Sequence, residues 1–394
     1  MIANKKGWIV VLAGTGINLA FGVLYAWSIF SAELQQTLSW TKTEASLPYT
    51  VAILMFALMM IPAGRLQDKI GPKWVATIGG LLIGFGCILA GSLTSLWGLV
   101  FSFGIMAGSG IGLGYASTTP PAVKWFDPKK KGLITGIVVG GFGLASLYIV
   151  PLSKFLLHEY GVFSSFRILG VLFLIITLPL AQFVNNPPAG HLSSQKKTTS
   201  QSDMTFKDML KTKEFYLLWF MFFAGATGGL MTIGGLKSIV TQILGDGAAF
   251  QLVAFAAIAN ALGRPVAGEI SGKLGRGKTM AILYILQAIA LFFFNSLSGY
   301  ALVLLASCII YFVYGSMLSV FPSACADNYG TKNLGLNYGI LFSAWGIGGV
   351  VGPMIGGQLA DITGNYSLSF TLAAILLLLA AFIGFIYKPY TAKS

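Results

Sequence analysis

The stretch AIANALGRPVAGEI, Ala257 to Ile270, sets Asn260 and Arg264 one helical turn apart in a run that otherwise reads as hydrocarbon. Residues four apart share a helix face, so amide and guanidinium present themselves together. Arginine is well shaped to hold a carboxylate: its charge is permanent and its N–H donors form a planar fork. Inside an apolar span it costs roughly 3 kcal/mol on insertion scales, so something must satisfy it. Three routes are open. The side chain can snorkel to a span end about six residues, or ~9 Å, away; it can pair with an internal acid; or it can hold an anionic ligand in a wet cavity. The twelve acids all lie at span ends or in loops, so the ligand is the preferred reading and snorkelling the second. Pro265 removes a backbone donor and frees a carbonyl near Ala261, a loosening common where helices line a cavity. Asn260 can bond the ligand or a hydroxyl beside its carboxylate; a plain helix–helix hydrogen bond is the competing reading.

The elements that must position this pair are set by composition. Of 394 residues, 56% are hydrophobic and 9% charged, and the mean hydropathy is +0.80. A soluble domain carries about a quarter charged residues. A bilayer-spanning helix needs roughly 20 mostly apolar residues, and twelve stretches qualify: 8–30, 47–66, 74–93, 96–118, 132–156, 162–185, 214–236, 248–271, 279–297, 300–321, 336–360 and 367–387. The expected fold class is therefore an all-α membrane protein of twelve spans. The first stretch has no small-residue cleavage site after it and reads as a retained span.

The net charge of +13 points to the membrane, not to nucleic acid. With the N-terminus inside and spans alternating, twenty of the 25 Lys and Arg fall on cytoplasmic segments, four outside, and Arg264 within a span. This asymmetry is that of a plasma-membrane protein with both termini cytoplasmic. No basic patch on a water-facing domain exists for nucleic acid. Cys87, Cys308 and Cys325 are too scattered for a metal set and read as packing residues. His158 and His191 read as solvated surface positions, and no cofactor is implied.

The polar segment 186–213 divides the spans six and six, giving halves 1–185 and 214–394 around a cytoplasmic connector. Its final part, MTFKDMLKTKEFYLLW, suits an amphipathic lead into the seventh span. The halves echo one another: GRLQDKIGPK at Gly64 to Lys73 and GEISGKLGRGK at Gly268 to Lys278 lie about 204 residues apart at matching places. Internal repeats of this kind mark secondary transporters, whose site lies between halves near mid-membrane. Gly64 permits close helix contact, and Asp68 can pair with a cation or sit at a neighbouring helix N-terminus. The second copy has Gly272 in place of Asp68, so its latch is expected to be weaker or absent.

GRLQDKIGPK resembles the loop signature of the major facilitator superfamily. GVLYAWSIF, GLGYASTTP, KWFDPKKKGLITGIVVGGFG, MLKTKEFYLLW, NALGRPVAGEIS, FPSACADNYG and NYGILFSAWG, in that order, resemble its monocarboxylate porter and oxalate/formate exchanger branch. The resemblance implies two six-helix halves rocking about a central site, with Gly64, Asp68, Gly71 and Lys73 in conformational gating. It implies that Arg264 holds the substrate carboxylate, with Asn260 and Tyr115 orienting it. Leu24, Tyr314 and Trp345 would shape the apolar end, with Tyr25 in a lesser role. Oxalate exchangers carry a second buried cation, a lysine, at the place of Trp345 and a glutamine at the place of Leu24. A second buried negative charge would lack a partner here, so a methyl-bearing monocarboxylate such as lactate or pyruvate is preferred over oxalate. The aspartate and lysine that serve as proton relay in animal carriers are missing, Asn260 and about Ile29 standing in their places. The proton, the expected coupling ion, can travel on the substrate, or Glu269 or Asp361 can titrate. The expected partners are a small monocarboxylate anion, a proton and the lipid bilayer of a bacterial inner membrane, with a monomeric functional unit. An oxalate/formate-type exchanger is the alternative within the class. A membrane carboxylate sensor is the alternative outside it, though termini and loop offer no output domain. No buried acid–base pair or nucleophile suggests an enzyme.

Overall fold

The computed structural model describes residues 2–127, 130–188, 203–244 and 246–390. Its elements are all helical: α1 (Ile2–Phe21), α2 (Trp27–Leu38), α3 (Lys42–Ile70), α4 (Pro72–Ala90), α5 (Leu96–Leu99), α6 (Gly108–Lys124), α7 (Lys131–Ala181), α8 (Phe206–Met209), α9 (Lys213–Leu244), α10 (Asp246–Leu274), α11 (Arg276–Phe293), α12 (Tyr300–Tyr329), α13 (Leu334–Thr363) and α14 (Ser367–Ile386). Ten helical segments among the described residues are long and apolar enough to cross a membrane. One of them, the 51-residue α7, is two helices joined at a kink where Gly161 takes φ 70°. Dividing it there, and adding the Arg264-bearing α10, makes the expected twelve.

Local chemistry explains the breaks. The first apolar stretch is not one regular helix: Gly22–Ala26 tightens into a 3-10 turn between α1 and α2, where a Cβ on Gly22 would strike Ala145. Leu24 and Tyr25 sit on this turn. Thr41 and Glu44 form a reciprocal capping box that starts α3. Gly71 and Gly275, the matching glycines of the two echoed loops, both take positive φ, 92° and 97°. Each ends one span and starts the next, a conformation that only glycine adopts without strain. The lead into the seventh span is a single turn, α8, capped by Thr205, rather than a longer amphipathic helix. Of the connector and tail, residues 189–202, including His191, and 391–394 lie outside the described residues.

Packing divides the chain into two units. The first comprises Met1–Asp127, Gly141–Lys197 and Thr331–Ile340; the second comprises Pro128–Gly140, Thr198–Gly330 and Leu341–Ser394. The boundaries run through α7 and α13, not only through the connector. In the first unit, Gly64 and Met60 of α3 meet Gly335 and Gly339 at the start of α13 so closely that a Cβ on either α13 glycine would strike α3 backbone. In the second, Gly268 and Arg264 of α10 meet Gly132 and Gly136 at the start of α7 in the same manner. Small residues thus let the first turns of α7 and α13 lie against helix backbones. Away from these seams the surface is apolar, with Leu262, Leu305 and Phe382 all more than half exposed, as suits a lipid-facing wall.

Candidate functional site

In the second unit, α10 is locked to α12 by backbone contact. A Cβ on Gly263 would strike the Phe312 carbonyl, and one on Gly315 the Asn260 carbonyl. The Ser316 hydroxyl donates to the Gly263 carbonyl at 3.1 Å and the Ser319 hydroxyl to the Arg264 carbonyl at 2.6 Å. These contacts fix the backbone from which Arg264 projects. The residue is fully buried. Its Nε and Nη2 donate to Oδ1 of Asn260 at 3.3 and 3.0 Å, and Nη1 donates to the Val139 carbonyl of α7. These two acceptors, an amide oxygen and a backbone carbonyl, are neutral and orient the fork. Snorkelling, the second reading of the sequence, is therefore replaced by an inward-held guanidinium. Nδ2 of the buried Asn260 has no hydrogen-bond partner among the described residues, so its amide points a donor at whatever acceptor arrives.

Also in this unit, the indole N–H of Trp345 donates to the Tyr314 hydroxyl at 3.1 Å. Trp345 stacks on Phe342 with ring centroids 4.8 Å apart, and both Tyr314 and Trp345 are buried. Gly229 of α9 makes room for the Tyr314 ring. Glu269, one of the acids considered for proton coupling, is half exposed and bonds Lys273 at 3.1 Å.

In the first unit, Leu24 and Tyr115 are buried, and the rings gather around a residue that the motifs do not single out, Phe142. Its centroid lies 5.6 Å from Tyr25, 5.7 Å from Tyr115 and 6.0 Å from Phe56. Phe56 meets Tyr115 edge-on at 5.3 Å. Phe142 was hidden because GIVVGGFG reads as a string of small packing residues, and Phe56 because one phenylalanine in an apolar span carries no signal. The seven proposed ligand residues thus form two sets: Leu24, Tyr25 and Tyr115 in the first unit; Asn260, Arg264, Tyr314 and Trp345 in the second.

The residues expected to gate, Gly64, Asp68, Gly71 and Lys73, fall in the first unit. The Asp68 carboxylate meets the backbone N–H of Leu336, in the first turn of α13, with Lys124 nearby. Lys73 lies over the Trp74 ring at 5.8 Å. Gly272 carries no charge, as the expectation of a weaker or absent second latch supposed, but Asp327, at the end of α12, brings a carboxylate beside this loop from another element. Its carboxylate pairs with Arg276 at 2.9 Å and Lys131 at 3.4 Å. Arg276 donates further to the Ser271 hydroxyl at 2.6 Å. No group of three or more His, Cys, Asp or Glu among the described residues can hold a metal ion.

Comparison with known proteins bears on these findings. The model of the Major Facilitator Superfamily matches residues 10–245 and 226–394. The chain is 26% identical to the oxalate:formate antiporter of Oxalobacter formigenes, over 95% of this chain and 89% of that protein. It is 26% identical to monocarboxylate transporter 13 of Rattus norvegicus, over 94% of this chain and 86% of that one. The solved major facilitator transporter FucP in its outward conformation superposes with a TM-score of 0.74 over 98% of this chain and all of that one. At 15% identity this last likeness concerns the fold alone.

Proposed function

The chain belongs to the Major Facilitator Superfamily, and from that premise we propose that it carries small monocarboxylates of the lactate and pyruvate type together with a proton. It is a multi-pass membrane transporter and not an enzyme. One observation carries the substrate class: a fully buried arginine in the middle of a span, its fork oriented by the neutral Asn260 and Val139. A permanent cation in a span is costly, and a carboxylate matches the oriented fork in shape and charge. Asn260, Tyr314 and Trp345 are the further ligand residues of the second unit in this reading, and Leu24, Tyr25 and Tyr115 those of the first. Trp345 brings no second cation, so a dicarboxylate would bury one charge unmatched.

The proton travels with the substrate in this reading, Asn260 offering no titratable group. Gly64, Asp68, Gly71 and Lys73 gate the first unit. The protein works as a monomer in the bacterial inner membrane with both termini cytoplasmic, an orientation supported by the placement of its Lys and Arg. Uptake of labelled L-lactate into proteoliposomes, with and without an outside-acid gradient, tests the proposal beside Arg264→Ala. Gradient-driven uptake lost in the variant is the expected result. Likeness to the oxalate:formate antiporter supports one second reading, exchange of carboxylates. Oxalate–formate exchange without lactate uptake would establish it instead.

A further inference from the structure

Four consecutive residues at the end of α12, Asp327, Asn328, Tyr329 and Gly330, gather most of the chain segments at the basic end of the second unit. Asp327 pairs with Arg276 at the start of α11 and Lys131 at the start of α7. Asn328 binds the segment that follows α14: its Nδ2 donates to the Tyr387 hydroxyl and its Oδ1 accepts from the Tyr390 backbone N–H, both at 2.6 Å. The Tyr329 carbonyl accepts from the Met204 N–H at 3.0 Å, and its hydroxyl meets that of Thr212 at 3.2 Å. Gly330 turns the chain at φ 79° against Asp203.

Tyr387 is the residue that joins these contacts. Its buried ring packs on Gly277, where a Cβ would meet ring and Cβ atoms at 2.9 and 3.2 Å. Gly277 adjoins Arg276, and Asn328 adjoins Asp327. One tyrosine therefore braces both sides of the Arg276–Asp327 ion pair.

We propose that Tyr387–Tyr390 is a strap that sets how firmly Asp327 clasps Lys131 and Arg276, and through them how readily the start of α7 leaves α10 and α12. Asp327 provides the grip; the strap holds the end of α12 at the distance where one carboxylate reaches two cations. The first turns of α7 carry no side chain at Gly132 and Gly136, where they touch α10, so the charged clasp is a discrete tie beside a seam where backbone meets backbone. Neither the substrate nor its coupling enters this inference.

The test uses a native reporter. Cys325 is fully buried two residues before Asp327, and Cys87 is fully buried in the first unit. The rate of modification by a water-soluble maleimide is measured at Cys325 in a Cys87→Ser, Cys308→Ser protein, and at Cys87 in the converse protein. Tyr387→Phe keeps the ring on Gly277 and removes only the hydroxyl. Loss of one neutral hydrogen bond, about 1 kcal/mol, should speed modification of Cys325 about five-fold and leave Cys87 unchanged. A chain ending at Ile386 should give at least as large an effect. Asp327→Asn should also speed it, and adding Tyr387→Phe to that variant should then add little, because the two act through one tie. Three results would overturn the proposal: an unchanged Cys325 rate in folded Tyr387→Phe and truncated proteins, equal acceleration at both cysteines, or additive effects of Tyr387→Phe and Asp327→Asn.

Discussion

Replacing Asn260 by aspartate is the sharpest single test of how Arg264 is used. The amide oxygen already lies 3.0 Å from Nη2 and 3.3 Å from Nε. An aspartate oxygen in that place forms an ion pair without any rearrangement of the helix. Two unit charges 4 Å apart attract by about 4 kcal/mol at an effective dielectric constant of 20. Desolvation takes back part of that, which leaves ~3 kcal/mol of competition against an arriving carboxylate. At 1.4 kcal/mol per decade this weakens L-lactate binding roughly 150-fold at pH 7.5. Calorimetry on the purified protein measures it directly, and repeating it at pH 5.5 should leave the gap unchanged, since the pairing that competes with lactate also holds the aspartate ionised well below the ordinary carboxylate range. Asn260→Ala serves as the control: it removes the amide but adds no charge, and should cost about ten-fold through a less ordered fork. Asn260→Asp binding within three-fold of wild type at pH 7.5 would refute the assignment of Arg264 as carboxylate anchor.

Two further outcomes follow from the packing. Trp345→Lys, which restores a second cation beside Tyr314, should reduce L-lactate uptake and confer measurable oxalate binding; lactate uptake without oxalate binding would show that position 345 does not face the ligand. Gly132→Val forces a side chain into the carbonyl of Gly268, a clash costing about 1–3 kcal/mol. It should lower the melting temperature of the purified protein and slow uptake, and a variant with unchanged stability and rate would show the seam to be loose.

The helices were legible because apolar runs of span length leave the backbone no other way to satisfy itself in lipid. The turns at Gly71 and Gly275 could be seen as an echo 204 residues apart, and their shared positive φ is its physical content. Arg264 stood out because a cation in hydrocarbon needs a reason. What stayed hidden depends on tertiary contact. Phe142 and Phe56 are ordinary residues until Tyr115 and Tyr25 meet them. The role of Asp327 was missed because the search for a second latch followed the repeat, and at that register the loop has only Gly272. The charge was supplied from α12 instead, by a residue of FPSACADNYG, a stretch that carries the family resemblance without marking Asp327 as a partner for that loop.

The repeat also shows why the arginine is where it is. Arg264 and Pro265 in α10 occupy the places that Met60 and Ile61 hold in α3, 204 residues earlier. Both pairs offer their backbone to a glycine in the same way. A Cβ on Gly136 would strike the Arg264 carbonyl and the Pro265 Cα, and one on Gly339 the Met60 carbonyl and the Ile61 Cα. The seam itself needs only glycine on one side and accessible backbone on the other, and Met60 meets that need with an apolar, fully buried side chain. Packing therefore does not call for a charge at this register. Arginine there costs roughly 3 kcal/mol that methionine would not. The difference between the two copies is thus one that packing at the seam does not call for, and in the proposed reading a carboxylate seated on Arg264 offsets it. The Arg264 carbonyl also rests on α7 and receives the Ser319 hydroxyl, so under the proposed function one residue would touch both the ligand and this seam. Binding and movement would then share a single point of the backbone, and an anion bound by the guanidinium would act directly on the helix contact next to it.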